Sequence, residues 1–86
     1  MIETFYKVKD VFPLPDYILL IDFINGETKP YNINPLFGKW EIFRSLSEIE
    51  RLYEQVKVDQ GGYGISWNEF IDLSCNELYN NGVMCT

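Results

Sequence analysis

The run Tyr17-Ile18-Leu19-Leu20-Ile21-Asp22-Phe23-Ile24, closed by Asn25-Gly26, decides the fold of this chain. Both alternating sets are apolar: Tyr17, Leu19, Ile21 and Phe23 on one side, Ile18, Leu20 and Ile24 on the other, with Asp22 the exception. A strand apolar on both sides is central in its sheet, or is covered on its second face by a partner. Asn25-Gly26 predicts a hairpin of type I′, since both central residues of that turn take positive φ. The returning segment, Glu27 to Ile33, is polar and carries Pro30. Proline cannot donate to a ladder, so this strand belongs at a sheet edge.

Working outward, Phe5 to Phe12 reads as the preceding strand, with Phe5 and Val11 on one face and Tyr6, Val8 and Phe12 on the other. Pro13-Leu14-Pro15-Asp16 is a turn, because each proline removes a donor and restricts its predecessor. Asn34 to Trp40 is a compact loop with room for one helical turn. Ser45 to Tyr53 is the first helix, with a capping box of Ser45 and Glu48 and an apolar stripe of Phe43, Leu46, Ile49 and Leu52 or Tyr53. Glu54 to Asp59 alternates, with Val56 and Val58 inward. Gly61-Gly62 turns the chain into a short strand, Tyr63 to Trp67. Ser74 and Glu77 cap a last helix docked by Leu73 and Leu78 and ended by Asn81-Gly82. The expected fold is a single small α+β domain over residues 1–86. Its antiparallel sheet runs in the order β-β-β-α-β-β-α, with the helices packed on one side.

Composition narrows the function. With 7 Lys and Arg against 13 Asp and Glu, the net charge is −6 and there is no histidine. An acidic chain is a poor binder of phosphate backbones, so no nucleic-acid partner is expected for the chain by itself. Lack of histidine removes the commonest general base and the commonest metal ligand. No CxxC and no spaced Asp run with a closing Glu is present, so neither metal nor cofactor is expected. Cys75 and Cys85 are too few for a disulfide framework and read as reduced thiols of a cytoplasmic protein. The longest apolar run is far short of a membrane span, and the N-terminal residues do not read as a signal peptide.

Three blocks of residues carry a resemblance. The first is Val8-Lys9-Asp10-Val11-Phe12-Pro13-Leu14-Pro15-Asp16-Tyr17, followed by Leu19 or Leu20. The second is Phe23-Ile24-Asn25-Gly26-Glu27, leading to Tyr31-Asn32-Ile33-Asn34-Pro35-Leu36. The third is Val56-Lys57-Val58-Asp59, then Ile65-Ser66-Trp67, Asp72-Leu73 and Leu78-Tyr79. Together they resemble a family known only as domain-of-unknown-function family 2442. The chain departs from it at Asn68-Glu69-Phe70-Ile71, where relatives carry a turn with Pro and Gly. The resemblance implies a small bacterial or phage-like intracellular protein without an established activity. Some relatives resemble the accessory half of toxin–antitoxin-like gene pairs, and others are joined to a helix-turn-helix. In 86 residues there is no room for that second domain, so DNA binding is not carried over.

The candidate sites each have two readings. Asp59-Gln60-Gly61-Gly62-Tyr63-Gly64 is rich in glycine, but a strand follows it, so it reads as a turn and not a phosphate cradle. Asp72 either holds the loop after Trp67 or presents a carboxylate to a ligand. Trp67 and Tyr79 are core rings, or a stacking site beside Asp72. Glu50 and Glu54, with Glu41 and Glu48, form a solvated face or an acidic ridge for a basic partner. Cys75 reads as a small hydrophobe, because no histidine is present to activate it. The expectation is a non-enzymatic protein-interaction module, an antitoxin-like or regulatory accessory subunit. It would associate with itself as a homodimer through the strand that Tyr17 opens, or with a basic protein, and not with a membrane. The alternative is a small-ligand or peptide binder with a pocket near Trp67 and Asp72.

Overall fold

Among the described residues, two three-stranded antiparallel sheets and three short α-helices make up the fold. The computed structural model describes residues 6–81. Strands β1 (Val8–Leu14), β2 (Ile18–Phe23) and β3 (Thr28–Asn32) form the first sheet in that order. Helices α1 (Asn34–Lys39) and α2 (Ser45–Glu48) follow. Strands β4 (Lys57–Val58), β5 (Gly64–Ser66) and β6 (Asp72–Ser74) form the second sheet, and α3 (Cys75–Asn81) follows. The α+β class is as the sequence predicts. The single sheet is not: the later strands are two or three residues long and pair only with their neighbours in sequence. β6 has no alternation to betray it and reads in the sequence as the lead into the last helix.

The first hairpin shows how local chemistry sets the register. Gly26 alone in the loop takes positive φ, at 96°. Phe23 N–H donates to the Glu27 carbonyl at 2.8 Å and Gly26 N–H to the Phe23 carbonyl at 3.0 Å. The loop is therefore the three-residue Ile24–Asn25–Gly26 kind, with one left-handed glycine, and not the expected type I′ turn. The Asn25 side chain accepts from Glu27 N–H at 3.0 Å, which fixes the exit. β3 lies at the edge, as Pro30 requires.

Three further differences have physical causes. A register shift between Val8 and Asp10 puts Val8 and Val11 on the same buried side, where simple alternation separates them. Phe5 lies outside the described residues, as do Gly82 and Cys85. The strand also continues through Pro13 to Leu14, and the turn begins only at Pro15. Finally, Ser45 to Tyr53 is not one helix. A 3₁₀ turn (Glu41–Arg44) leads into the four residues of α2, and the chain becomes extended at Ile49, with φ −97° and ψ 117°. The Ser45–Glu48 capping box does not form. So short a helix has little stability of its own, and tertiary contacts of Leu52 and Tyr53 override the stripe. Ile49, read as buried, is 55% exposed.

The core lies between the inner face of the first sheet, α3 and the second sheet. Leu19, Ile21, Phe23, Ile33, Ile65, Ile71 and Leu78 are essentially inaccessible. Gly62 sits where the second sheet meets β1. A Cβ there would stand 2.7 Å from the Val8 carbonyl oxygen, and its φ is 80°. Only glycine meets both conditions.

Candidate functional site

The Pro15–Tyr17 turn and residues 46–54 enclose an open groove of about 430 Å³. Its walls are Pro13, Leu14 and Tyr17 on one side and Leu46, Ile49 and Tyr53 on the other. Asp16, Glu50, Glu54 and Arg51 supply the charge. Tyr53 joins the walls: its hydroxyl donates toward the carbonyls of Leu14 at 2.7 Å and Ile18 at 3.0 Å, one proton facing two acceptors. The Tyr17 ring meets Tyr53 and Phe37 edge-on, at 5.0 and 5.2 Å between centroids. Burial pushes the Tyr53 phenol up to about 12, against the lowering effect of the Leu14 carbonyl and with help from the nearby Glu54 charge. Among the described residues, the non-glycine positions with positive φ are Asp16, Tyr17 and Arg51, and all three line this groove.

The groove brings together three of the residues singled out in the sequence: Tyr17, Glu50 and Glu54. Asp16 and Arg51 also belong to it; an aspartate in a turn tolerates a left-handed backbone, whereas nothing in the sequence around Arg51 announces one. Trp67 lies elsewhere and is buried, with its indole N–H donating to the Tyr53 carbonyl at 3.0 Å. Asp72 is exposed on β6, paired with Ser66. The loop after Trp67 is held by Asn68 instead: its Oδ1 accepts from Phe70 N–H at 2.8 Å and Ile71 N–H at 3.0 Å. Trp67 N–H donates to the Ile71 carbonyl and closes that loop. The asparagine thus supplies locally what a turn with Pro and Gly supplies through its backbone.

Tyr79 is the hub of a second cluster. Its ring stacks on Tyr6 at 3.7 Å, meets Phe23 edge-on at 5.2 Å and lies 3.6 Å from the Lys29 ammonium. Lys29, which is buried, also donates to the Tyr79 carbonyl at 2.8 Å. The Tyr79 hydroxyl donates to Glu27 Oε1. That bond, together with Asn25 and the Lys29 charge, holds the Glu27 carboxyl below its ordinary value, and it raises the Tyr79 phenol. Nearby, Tyr31 donates to Glu77 at 2.8 Å, and its phenol is raised by burial first and then by that carboxylate. These groups fasten α3 to the first sheet. Cys75 is buried, and its backbone N–H donates to the Tyr63 carbonyl. Among the described residues, no three His, Cys, Asp or Glu side chains are placed to hold a metal ion.

The outer face of the first sheet is largely apolar and exposed to half-buried. Phe12, Leu20 and Pro30 form a cross-strand row, and Leu14 and Ile18 pair beside it. Phe12 is 42% exposed. At one end Asp10 and Asp22 stand opposite each other, with Lys9 beside Asp22, and Thr28 donates to Asp22 at 2.8 Å. No helix among the described residues is long and apolar enough to cross a membrane.

No curated protein and no solved structure matches the chain. A family model does, over residues 8–83, a span that takes in both sheets, the groove and the Tyr79 cluster apart from Tyr6. By that match the chain belongs to the family described as "Protein of unknown function (DUF2442)".

Proposed function

We propose that this protein is a non-enzymatic interaction module, an accessory subunit of antitoxin-like or regulatory kind, that pairs with a second copy through the outer face of its first sheet. The observation that carries the reading is the apolar cross-strand row of exposed Phe12 with half-buried Leu20 and Pro30, and exposed Leu14 with half-buried Ile18 alongside. A contiguous apolar patch on a small domain marks an association surface more often than chance exposure does. Its charge pattern suits a copy of itself. The middle of the row carries no ionised group, and Asp10, Asp22 and Lys9 lie at one end, so a two-fold axis through the middle sets the two charged ends apart. The strand that reads as apolar on both sides then has a use for its second side.

Size-exclusion chromatography with light scattering tests this on the full chain. The expected species is a dimer, and Leu20→Glu shifts it to monomer. A wild-type chain that stays monomeric up to about 0.1 mM, a concentration at which even weak pairs form, overturns the reading.

A further inference from the structure

We propose that the groove between the Pro15–Tyr17 turn and residues 46–54 binds a short basic peptide segment of a partner protein, taking an arginine or lysine side chain against Asp16, Glu50 and Glu54 and an aliphatic neighbour against Leu14 and Ile49. This site adjoins the row Phe12–Leu20–Pro30, with Leu14 at the edge of both, and rests on different observations.

Three observations lead to it. The first is the balance of hydrogen-bonding groups. Two of the wall's donors are spent within the chain, the Tyr53 hydroxyl on Leu14 and Ile18 and the Ser47 hydroxyl on the Arg44 carbonyl at 2.9 Å, while Arg51 with its guanidinium and Tyr17 with its hydroxyl also line the groove. The carboxylates of Asp16, Glu50 and Glu54 accept no hydrogen bond from another described residue. Three carboxylates against one guanidinium leave charged acceptors in excess, which favours a donating, cationic ligand such as a guanidinium or ammonium group.

The second is charge. Three carboxylates face one guanidinium, on a chain whose net charge is −6. The carboxylates are spread along the rim and do not converge as a metal cluster. Spread acids with apolar surface between them fit an extended cationic segment, whose long stems lie on the apolar wall while their heads reach the rim.

The third is that the groove is already formed. Left-handed φ values at Asp16 (66°), Tyr17 (60°) and Arg51 (69°) persist only where surrounding contacts impose them. At Asp16 and Tyr17 these are Asn34 Nδ2–H donating to the Asp16 carbonyl at 2.9 Å, Ile33 N–H donating to the Tyr17 carbonyl at 3.0 Å, and the Tyr17 ring against Phe37 and Tyr53. A preformed site loses little freedom on binding, and about 430 Å³ lies within the usual range for ligand sites.

Fluorescence anisotropy tests the proposal with a labelled nine-residue peptide of alternating arginine and leucine, titrated with the full chain. Binding is expected, and it weakens as salt rises from about 0.02 to about 0.3 M. Glu50→Lys/Glu54→Lys is expected to weaken it by about tenfold or more. Glu41→Lys/Glu69→Lys makes the same change in net charge away from the groove and is expected to cost less than about threefold. Asp16→Asn, which tolerates the left-handed backbone, gives a smaller loss and guards against misfolding of the double variant. Absence of binding overturns the proposal. So does equal weakening by the two double variants, or equal binding of a peptide with glutamate in place of arginine.

Discussion

Trp67 and Tyr53 are tied together by a bond from the indole Nε1 to the Tyr53 carbonyl at 3.0 Å, and the Tyr53 hydroxyl then reaches the end of the β1–β2 hairpin. One residue thus couples the second sheet to the first, and its backbone and side chain serve different partners. This bridge interrupts the helix that the Phe43–Tyr53 pattern favours, because a continuous helix would carry Tyr53 away from Leu14.

Tyr53→Phe isolates the hydroxyl. Its loss leaves two hairpin carbonyls without their donor while the ring still packs on Tyr17. Destabilisation of about 1–3 kcal/mol is expected in urea unfolding, the cost of an unmet buried polar group. A loss below about 0.5 kcal/mol would show that water replaces the hydroxyl freely.

High pH acts on the same bond. Tyr53 titrates near 12 in the folded chain, above the ordinary tyrosine value of 10.0. The unfolded chain therefore loses its proton first, and stability falls as pH rises between those values. Tyr31 and Tyr79 are raised too and add to the same loss. Glu27 acts on the acid side. Its folded value is lowered, so its contribution is present above the ordinary 4.5 and disappears as pH falls through the folded value. Melting temperature against pH should show a plateau with both flanks falling, and Tyr53→Phe should soften the alkaline one. An alkaline flank that Tyr53→Phe leaves unchanged would rule out this role for Tyr53.

Much of this fold was legible in the sequence, because the signals were local and strong. Pro30 places β3 at the edge, Asn25-Gly26 places the hairpin, and Ser74 caps α3, its hydroxyl accepting from Glu77 N–H at 3.1 Å. What stayed hidden depends on partners distant in sequence. Glu77 does not reach back to Ser74 but accepts from Tyr31, 46 residues away. The groove falls in the same class. Glu50 and Glu54 read as a helix face, and only the break at Ile49 and the left-handed Arg51 turn them toward Asp16.

Lys29 offers a third test. Its ammonium is buried against the Tyr79 ring and carbonyl, and its stem fills core space. Lys29→Met keeps most of the stem and removes both polar contacts. A loss of about 1–2 kcal/mol is expected, combining a cation–π contact with a hydrogen bond. A gain in stability on chemical denaturation would mean that desolvating the ammonium outweighs both contacts.

Salt separates the two proposed associations by sign. Copies carrying −6 each repel, so pairing through the Phe12–Leu20–Pro30 face strengthens as salt screens that repulsion. A basic peptide in the groove weakens over the same range. Sedimentation velocity and anisotropy on one sample series should therefore move in opposite directions. Phe12→Glu should abolish the first response and leave the second intact. Parallel movement of the two signals would leave one of the surfaces wrongly assigned.

The last prediction concerns the backbone of the groove. Arg51 holds φ at 69°, a conformation that costs an ordinary residue about 1–2 kcal/mol. Glycine removes that cost but adds chain freedom to the unfolded state, about 0.5–1 kcal/mol in the other direction. Arg51→Gly should accordingly be neutral or stabilising by up to about 1 kcal/mol, while Arg51→Val, branched at Cβ, should destabilise by about 1–2 kcal/mol. The ordering of the two variants is the decisive reading, since both remove the guanidinium equally. If valine matches glycine in thermal melts, residue 51 is not held left-handed in solution, and the groove wall that depends on it is not preformed.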